Sequence, residues 1–126
     1  MGKRFLMISH RGRKSGNLFF TVLEVAGRRP ENREWIVTSG WGPKADWYRN
    51  LKAGTFEAVW IGSHRHDATV RFLEAEEAGQ VMGEYETAHP KTAQALYKAM
   101  GVSYDGTDDG RVEMMNQIPM VALAVS

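Results

Sequence analysis

The stretch Met7-Ile8-Ser9-His10-Arg11-Gly12-Arg13-Lys14-Ser15-Gly16-Asn17-Leu18-Phe19-Phe20-Thr21-Val22-Leu23-Glu24-Val25 decides the fold. A short apolar run, Phe5 to Ile8, and a longer one rich in aromatic and β-branched residues, Leu18 to Val25, flank the hexapeptide Arg11-Gly12-Arg13-Lys14-Ser15-Gly16. Runs of that composition bounded by glycine and polar residues read as strands joined by a turn. Turn chemistry alone accounts for the glycines of a solvated hairpin tip. Three cations, a hydroxyl and free backbone N–H groups are equally what an anionic ligand needs.

Downstream, Gly27-Arg28-Arg29-Pro30-Glu31-Asn32 reads as a turn, and Glu34 to Thr38 as a third antiparallel strand. Ser39-Gly40-Trp41-Gly42-Pro43 interrupts the pattern, and Asp46 to Ala53 then reads as a short helix with Trp47 and Leu51 on one face. Thr55 to Ile61 and Ala68 to Leu73 are expected to pair as a hairpin around Gly62-Ser63-His64-Arg65-His66. Beyond Glu74 the period changes: Ala78, Val81, Met82 and Tyr85 fit one helical face, and Ala93, Leu96, Tyr97 and Met100 another. Gly101 to Gly110 reads as a polar loop, and Ile118 to Val125 as a last strand opened by Pro119. Short strands between turn signals, with few helices, predict a small antiparallel β-barrel (mainly β, α+β). The helices are expected to flank the barrel and wall a cleft.

At 126 residues the chain has the size of a single domain spanning 1–126, with no repeat and no dividing linker. Hydrophobic residues at 43% and charged ones at 25% exclude a disordered chain. The absence of cysteine excludes disulfides, thiolate metal centres and cysteine nucleophiles. No apolar run approaches the roughly 18 residues of a membrane span, and the N-terminal residues lack the serine or threonine of a myristoylation pattern, so a cytoplasmic protein without a stable membrane anchor is expected. The net charge of +1 hides a gradient: +6 over residues 1–33, +1 over 34–66 and −6 over 67–126. The basic third attracts a polyanion, a small molecule or a nucleic acid; the acidic third repels both.

The segment Ser39-Gly40-Trp41-Gly42-Pro43-Lys44-Ala45-Asp46-Trp47-Tyr48-Arg49-Asn50-Leu51 is the second informative stretch. Its glycines permit close approach to the backbone, its aromatics offer flat faces, and a helix start carries partial positive charge, which together suit a planar anionic cofactor. Trp47 and Leu51 are equally explained as core contacts, and Asp46 as a helix cap. Other constellations carry less. His64 and His66 share a strand face but lack a third ligand, and Asp105-Gly106-Thr107-Asp108-Asp109-Gly110 opens like a calcium loop yet has Asn116 where that loop needs a bidentate glutamate, so no metal is expected. Walker and dinucleotide GxGxxG motifs are missing.

Met7-Ile8-Ser9, the turn Arg11 to Gly16, Val37-Thr38-Ser39-Gly40 and Trp47-Tyr48-Arg49-Asn50-Leu51, in that order and spacing, resemble the deazaflavin-dependent nitroreductase family. The resemblance covers residues 4–75 most closely. It implies a split β-barrel oxidoreductase that takes hydride from reduced 8-hydroxy-5-deazaflavin (coenzyme F-420) to a small electron-poor substrate: a nitro compound, a quinone or an activated alkene. It places Arg13, Lys14 and Ser15 at the coenzyme's phosphate and glutamate tail, with Arg11 of the same turn a further cofactor-binding candidate. Ser39, Gly40, Gly42, Lys44, Trp47, Tyr48 and Asn50 are placed around its ring, with Trp41 of the same segment a further cofactor-binding candidate. Members often carry an arginine shortly after the basic turn, where this chain has Asn17-Leu18-Phe19-Phe20, and a weaker grip is expected. Hydride chemistry belongs to the cofactor, so no catalytic triad is expected. A proton can come from Tyr48, Tyr85, Tyr97, Tyr104 or His10, none of which is singled out. FMN in the same barrel, a non-catalytic carrier and a nucleic-acid-binding barrel are the alternatives. A homodimer is left open, with part of the substrate wall supplied by another subunit.

Overall fold

The structure, a computed structural model, describes residues 5–39, 42 and 44–126. Seven strands form one antiparallel sheet: β1 (Phe5–Arg11), β2 (Leu18–Arg29), β3 (Glu34–Thr38), β4 (Phe56–Ile61), β5 (His64–His66), β6 (Ala68–Phe72) and β7 (Met120–Val125). Their order is β5-β4-β1-β2-β3-β7-β6, and the sheet curls into the split barrel. The described residues also form four α-helices: α1 (Asp46–Lys52), α2 (Ala75–Ala88), α3 (Pro90–Met100) and α4 (Asp108–Met114). As expected, residues 5–38 form a three-stranded antiparallel meander.

Alternation along the central strands divides the core into two clusters. Val37, Val121 and Leu123 point into the barrel with Leu6, Ile8, Leu23 and Val59, where Trp47 and Leu51 of α1 plug the interior. Ile36, Met120 and Ala122 point the other way and meet Ala78, Val81, Met82 and Tyr85 of α2 and Met114 and Met115 at the end of α4. A strand buried on both faces needs a continuous apolar run, which is why residues 118–125 show no alternation. Ion pairs and hydrogen bonds fasten this outer layer. Arg71 on β6 donates from Nε and Nη2 to the buried Glu34 of β3, at 3.0 and 3.1 Å, and from Nη1 to Glu77 of α2 at 2.7 Å. Tyr85 donates to Glu24 of β2. Glu86 accepts from Tyr97 at 2.5 Å and Tyr104 at 3.2 Å and pairs with Arg111 at 3.4 Å, joining α2, α3 and α4.

Four expectations are corrected. The segment 27–32 is mostly strand: β2 continues to Arg29 past an irregularity between Val25 and Gly27, and only Pro30–Asn32 turns. Gly27 serves packing, since a Cβ there would stand 3.0 Å from Val81 Cγ1 of α2. Second, β4 does not pair with β6. A tight turn at Gly62-Ser63 sends the chain back as β5 along β4, and after Asp67 the chain crosses to β7 and forms the opposite edge. Third, the polar loop ends early. Thr107 caps α4, accepting from Gly110 N at 2.9 Å, while Asp105 accepts from the Thr107 backbone and hydroxyl at 2.9 and 2.7 Å. Fourth, α2, α3 and α4 flank the barrel without walling the cleft described below.

Candidate functional site

The basic turn and α1 face each other across the mouth of the barrel. The turn is closed by Gly12 N to Asn17 O (2.8 Å) and Gly16 N to Gly12 O (2.9 Å), with Gly16 at φ 73°. Thr55 anchors both sides: its hydroxyl lies 2.6 Å from Arg11 O and 2.8 Å from Asn50 O, and its carbonyl accepts from Arg11 N at 2.9 Å. Between turn and helix opens a cavity of about 450 Å³. Gly12, Arg13, Lys14 and Ser15 form its rim, His10, Phe19, Phe20 and Thr21 its strand wall, and Ala45, Asp46, Trp47 and Asn50 its helix wall. That volume falls in the range of small-molecule sites.

Two parts of the lining differ in chemistry. At the rim, Lys14 makes no ion pair or side-chain hydrogen bond among the described residues, and the backbone N–H groups of Lys14 and Ser15 are likewise unpaired. The Ser15 oxygen accepts from Asn17 N at 3.1 Å, which leaves its O–H to donate outward. A Cβ on Gly12 would stand 2.4 Å from that oxygen and 3.1 Å from the Phe19 ring, so the turn needs glycine for close approach. The wall is aromatic: Phe19 stacks on His10 with centroids 6.0 Å apart, and Trp47 is held by its Nε1 donating to Ser39 Oγ at 2.9 Å.

A buried polar chain runs beneath the rim. Asn50 donates from Nδ2 to His10 Nδ1 at 3.0 Å, while its Oδ1 accepts from the Arg13 backbone N–H at 3.0 Å and guanidinium at 2.8 Å. With Nδ1 accepting, the neutral imidazole carries its hydrogen on Nε2 and donates to Thr21 Oγ1 at 2.9 Å. Burial pushes the His10 pKa below its ordinary value, against a smaller upward pull from Asp46.

Of the residues expected at the cofactor, Arg13, Lys14, Ser15, Trp47 and Asn50 line this cavity. Arg11 points away, pairing with Glu57 of β4 at 2.8 Å. Ser39 stands behind Trp47. Tyr48 packs edge-on against Trp47 and Phe72 in the interior. Lys44 is exposed outside the lining, and Gly42 is buried with Met100 and Gln117 as the nearest neighbours of a Cβ. Gly40 and Trp41 lie outside the described residues. Among the five proton-donor candidates, only His10 reaches the cavity; Tyr85, Tyr97 and Tyr104 belong to the helical layer. Gly12, Phe19, Phe20, Thr21 and Ala45 line the cavity beyond the residues to which the sequence pointed. The register that pairs His10 with Phe19 and Ile8 with Thr21 on one face is the signal that brings most of that strand wall together.

Several solved proteins share this fold. A solved chain described as a domain-swapped dimer has a TM-score of 0.62 at 23% identity, covering 98% of this chain and 81% of that one. An F420-H2 dependent reductase (FDR-A) scores 0.62 at 22% identity, covering 96% and 94%. A Clostridium acetobutylicum protein related to general stress protein 26 of B. subtilis, of the pyridoxinephosphate oxidase family, scores 0.53 at 8% identity, covering 97% and 75%. At these identities the likeness establishes the fold. No curated protein matches the sequence. The sequence model of the F420H(2)-dependent quinone reductase family matches residues 1–104, and the chain therefore belongs to that family of oxidoreductases.

Proposed function

We propose that the chain binds a reduced 8-hydroxy-5-deazaflavin coenzyme in the barrel-mouth cavity and reduces a small electron-poor substrate, a quinone, a nitro compound or an activated alkene. The observation that carries this reading is the unpaired Lys14 cation beside two free N–H groups and a hydroxyl, at the rim of an aromatic-walled cavity. The rim suits the phosphate and carboxylates of the coenzyme tail. Phe19 and Trp47 suit a flat ring. When bound, the coenzyme supplies the hydride. The protein's residues grip the anionic tail, hold the ring against the aromatic wall and keep water from it. The family match favours the deazaflavin over FMN, which the same rim would hold equally well.

Titrating the protein with oxidised deazaflavin should quench tryptophan fluorescence, because Trp47 borders the cavity. With reduced coenzyme, the protein should turn over a quinone or nitroaromatic. Absence of quenching at tens of micromolar, or purification with stoichiometric FMN, overturns the reading. Quenching without turnover makes the protein a carrier.

We read residues 1–126 as one cofactor-binding domain acting in the cytoplasm; none of the described helices is long and apolar enough to cross a membrane. A homodimer is part of the same reading. Phe5, Phe20 and Val22 are exposed on the outer face of β1 and β2, where Met7 pairs with both Val22 and Trp60, and no helix covers them. Sedimentation should show a dimer that Val22→Asp dissociates; a wild-type monomer at all concentrations removes this part of the proposal.

A further inference from the structure

The His10–Asn50–Arg13 chain has a property that packing alone does not require. A carboxamide is nearly symmetric in shape, so its orientation is set by its hydrogen bonds. Both ends of Asn50 are specified here: an acceptor nitrogen on His10 takes the NH2 group, and two donors on Arg13 take the oxygen. Asn50 and His10 are each only 2% exposed, so water does not readily replace either partner. If His10 gains a proton, Nδ1 becomes a donor and faces the Asn50 NH2 group. Turning the amide over relieves that clash only by presenting NH2 to the Arg13 backbone N–H and guanidinium. One of the two contacts must fail, and Arg13 immediately precedes the two unpaired N–H groups of the rim.

We propose that His10 and Asn50 are positioning residues: neutral His10 orients Asn50 so that its oxygen clamps Arg13, and protonation of His10 releases the clamp and loosens the anion-binding turn. This rests on the reading of the turn as the coenzyme's anion grip. The charged groups around His10 are Asp46 from α1, the Arg13 guanidinium and Lys14 from the turn, and the Arg11–Glu57 pair at the ends of β1 and β4. Phe19 and Thr21, its neighbours on β2, carry no charge. Asp46 is the group that favours imidazolium, and its 84% exposed side chain lies in water, 3.4 Å from Arg13. Burial opposes it and keeps the imidazole neutral at pH 7.

The test uses the full chain without coenzyme and inorganic sulfate as the anion, since sulfate keeps its charge throughout. Nitrogen NMR should show His10 protonated on Nε2 alone at pH 8. As pH falls towards 5, the His10 ring and the Arg13 amide should shift with one midpoint, below the ordinary histidine value. Sulfate affinity, read at the Lys14 and Ser15 amides, should fall roughly tenfold through that midpoint, the worth of about one hydrogen bond. Asn50→Asp provides the discriminating variant. Its carboxylate still accepts from Arg13 but attracts a proton to His10, so the His10 midpoint should rise and the fall in sulfate affinity should move to higher pH or vanish. An Arg13 amide indifferent to His10 titration, a hydrogen on Nδ1 at pH 8, or no sulfate response at pH 8 overturns the proposal. Failure of the coenzyme to bind, with these sulfate results intact, overturns the proposed function and leaves the clamp standing.

Discussion

Replacing Lys14 by alanine should weaken coenzyme binding by about 1.5–3 kcal/mol, roughly 10- to 150-fold in dissociation constant, the usual worth of a hydrogen bond to a charged group. The expectation follows from what Lys14 lacks. Among the described residues it has no counter-ion, so a bound anion would be its first ionic partner and would displace none. Arg11 differs. It already holds Glu57 at 2.8 Å and the Gly16 carbonyl at 3.3 Å, and Arg11→Ala should change affinity only a few-fold, through loosening of the turn. Lys14→Arg should retain most binding, since the charge stays although the ammonium geometry does not. Because the rim is exposed, the wild-type affinity should also fall with added salt, over a screening length of about 8–10 Å at physiological ionic strength. Fluorescence titration of the three variants at two salt concentrations checks the set. Equal dissociation constants for wild type and Lys14→Ala would remove Lys14 from the site.

Ile36→Ala should cost about 2–5 kcal/mol of folding stability, the range for deleting a large aliphatic side chain from a core. Ile36 is fully buried on the face of β3 that meets the helical layer, in one cluster with Val81, Met82, Met120 and Ala122. A domain of this size has roughly 5–15 kcal/mol in total, so the loss should be visible as a drop in melting temperature of about 10–20 °C. Val22→Ala, on the uncovered face, should stay within about 0.5 kcal/mol in the monomer. Ile36 faces away from the cavity, and any Ile36→Ala protein that remains folded should bind coenzyme as wild type does. Chemical denaturation and the same titration separate the two effects. A cost below about 1 kcal/mol would mean that the helices do not depend on this face of the sheet.

The strands and the basic turn were legible because their signals are local. Leu18 to Val25 is rich in residues that favour strands, the hexapeptide has turn chemistry, and the change of period after Glu74 marks α2. Signals that mislead are local too. Gly27 looks like a turn glycine, yet its lack of a side chain lets α2 approach β2; the partner, Val81, is 54 positions away in the chain. The run of charges at Asp105, Asp108 and Asp109 looks like loop, while Thr107 was the available cap signal for α4. The β4–β6 pairing failed for a different reason. Adjacent strands pair by default, and nothing in Ala68 to Phe72 says that its edge belongs to β7 across the barrel.

For the site, the sequence by itself determined which side chains could meet an anion: Arg11, Arg13, Lys14 and Ser15 lie in one short stretch, and the surrounding third of the chain is basic. It also carried the motif resemblance that the family match bears out. Tertiary structure decided which cation of the turn is available, because Arg11 is taken by Glu57 of β4 and Lys14 has no partner among the described residues. Only tertiary structure joined His10 of β1 to Asn50 of α1 and Arg13 of the turn. Identity and order of residues along the chain fix charge and local backbone preference, whereas pairing depends on which groups the closed barrel brings within hydrogen-bond distance. For a hydrogen bond of about 3 Å between residues 40 positions apart, sequence sets the chemistry and the fold sets the partner.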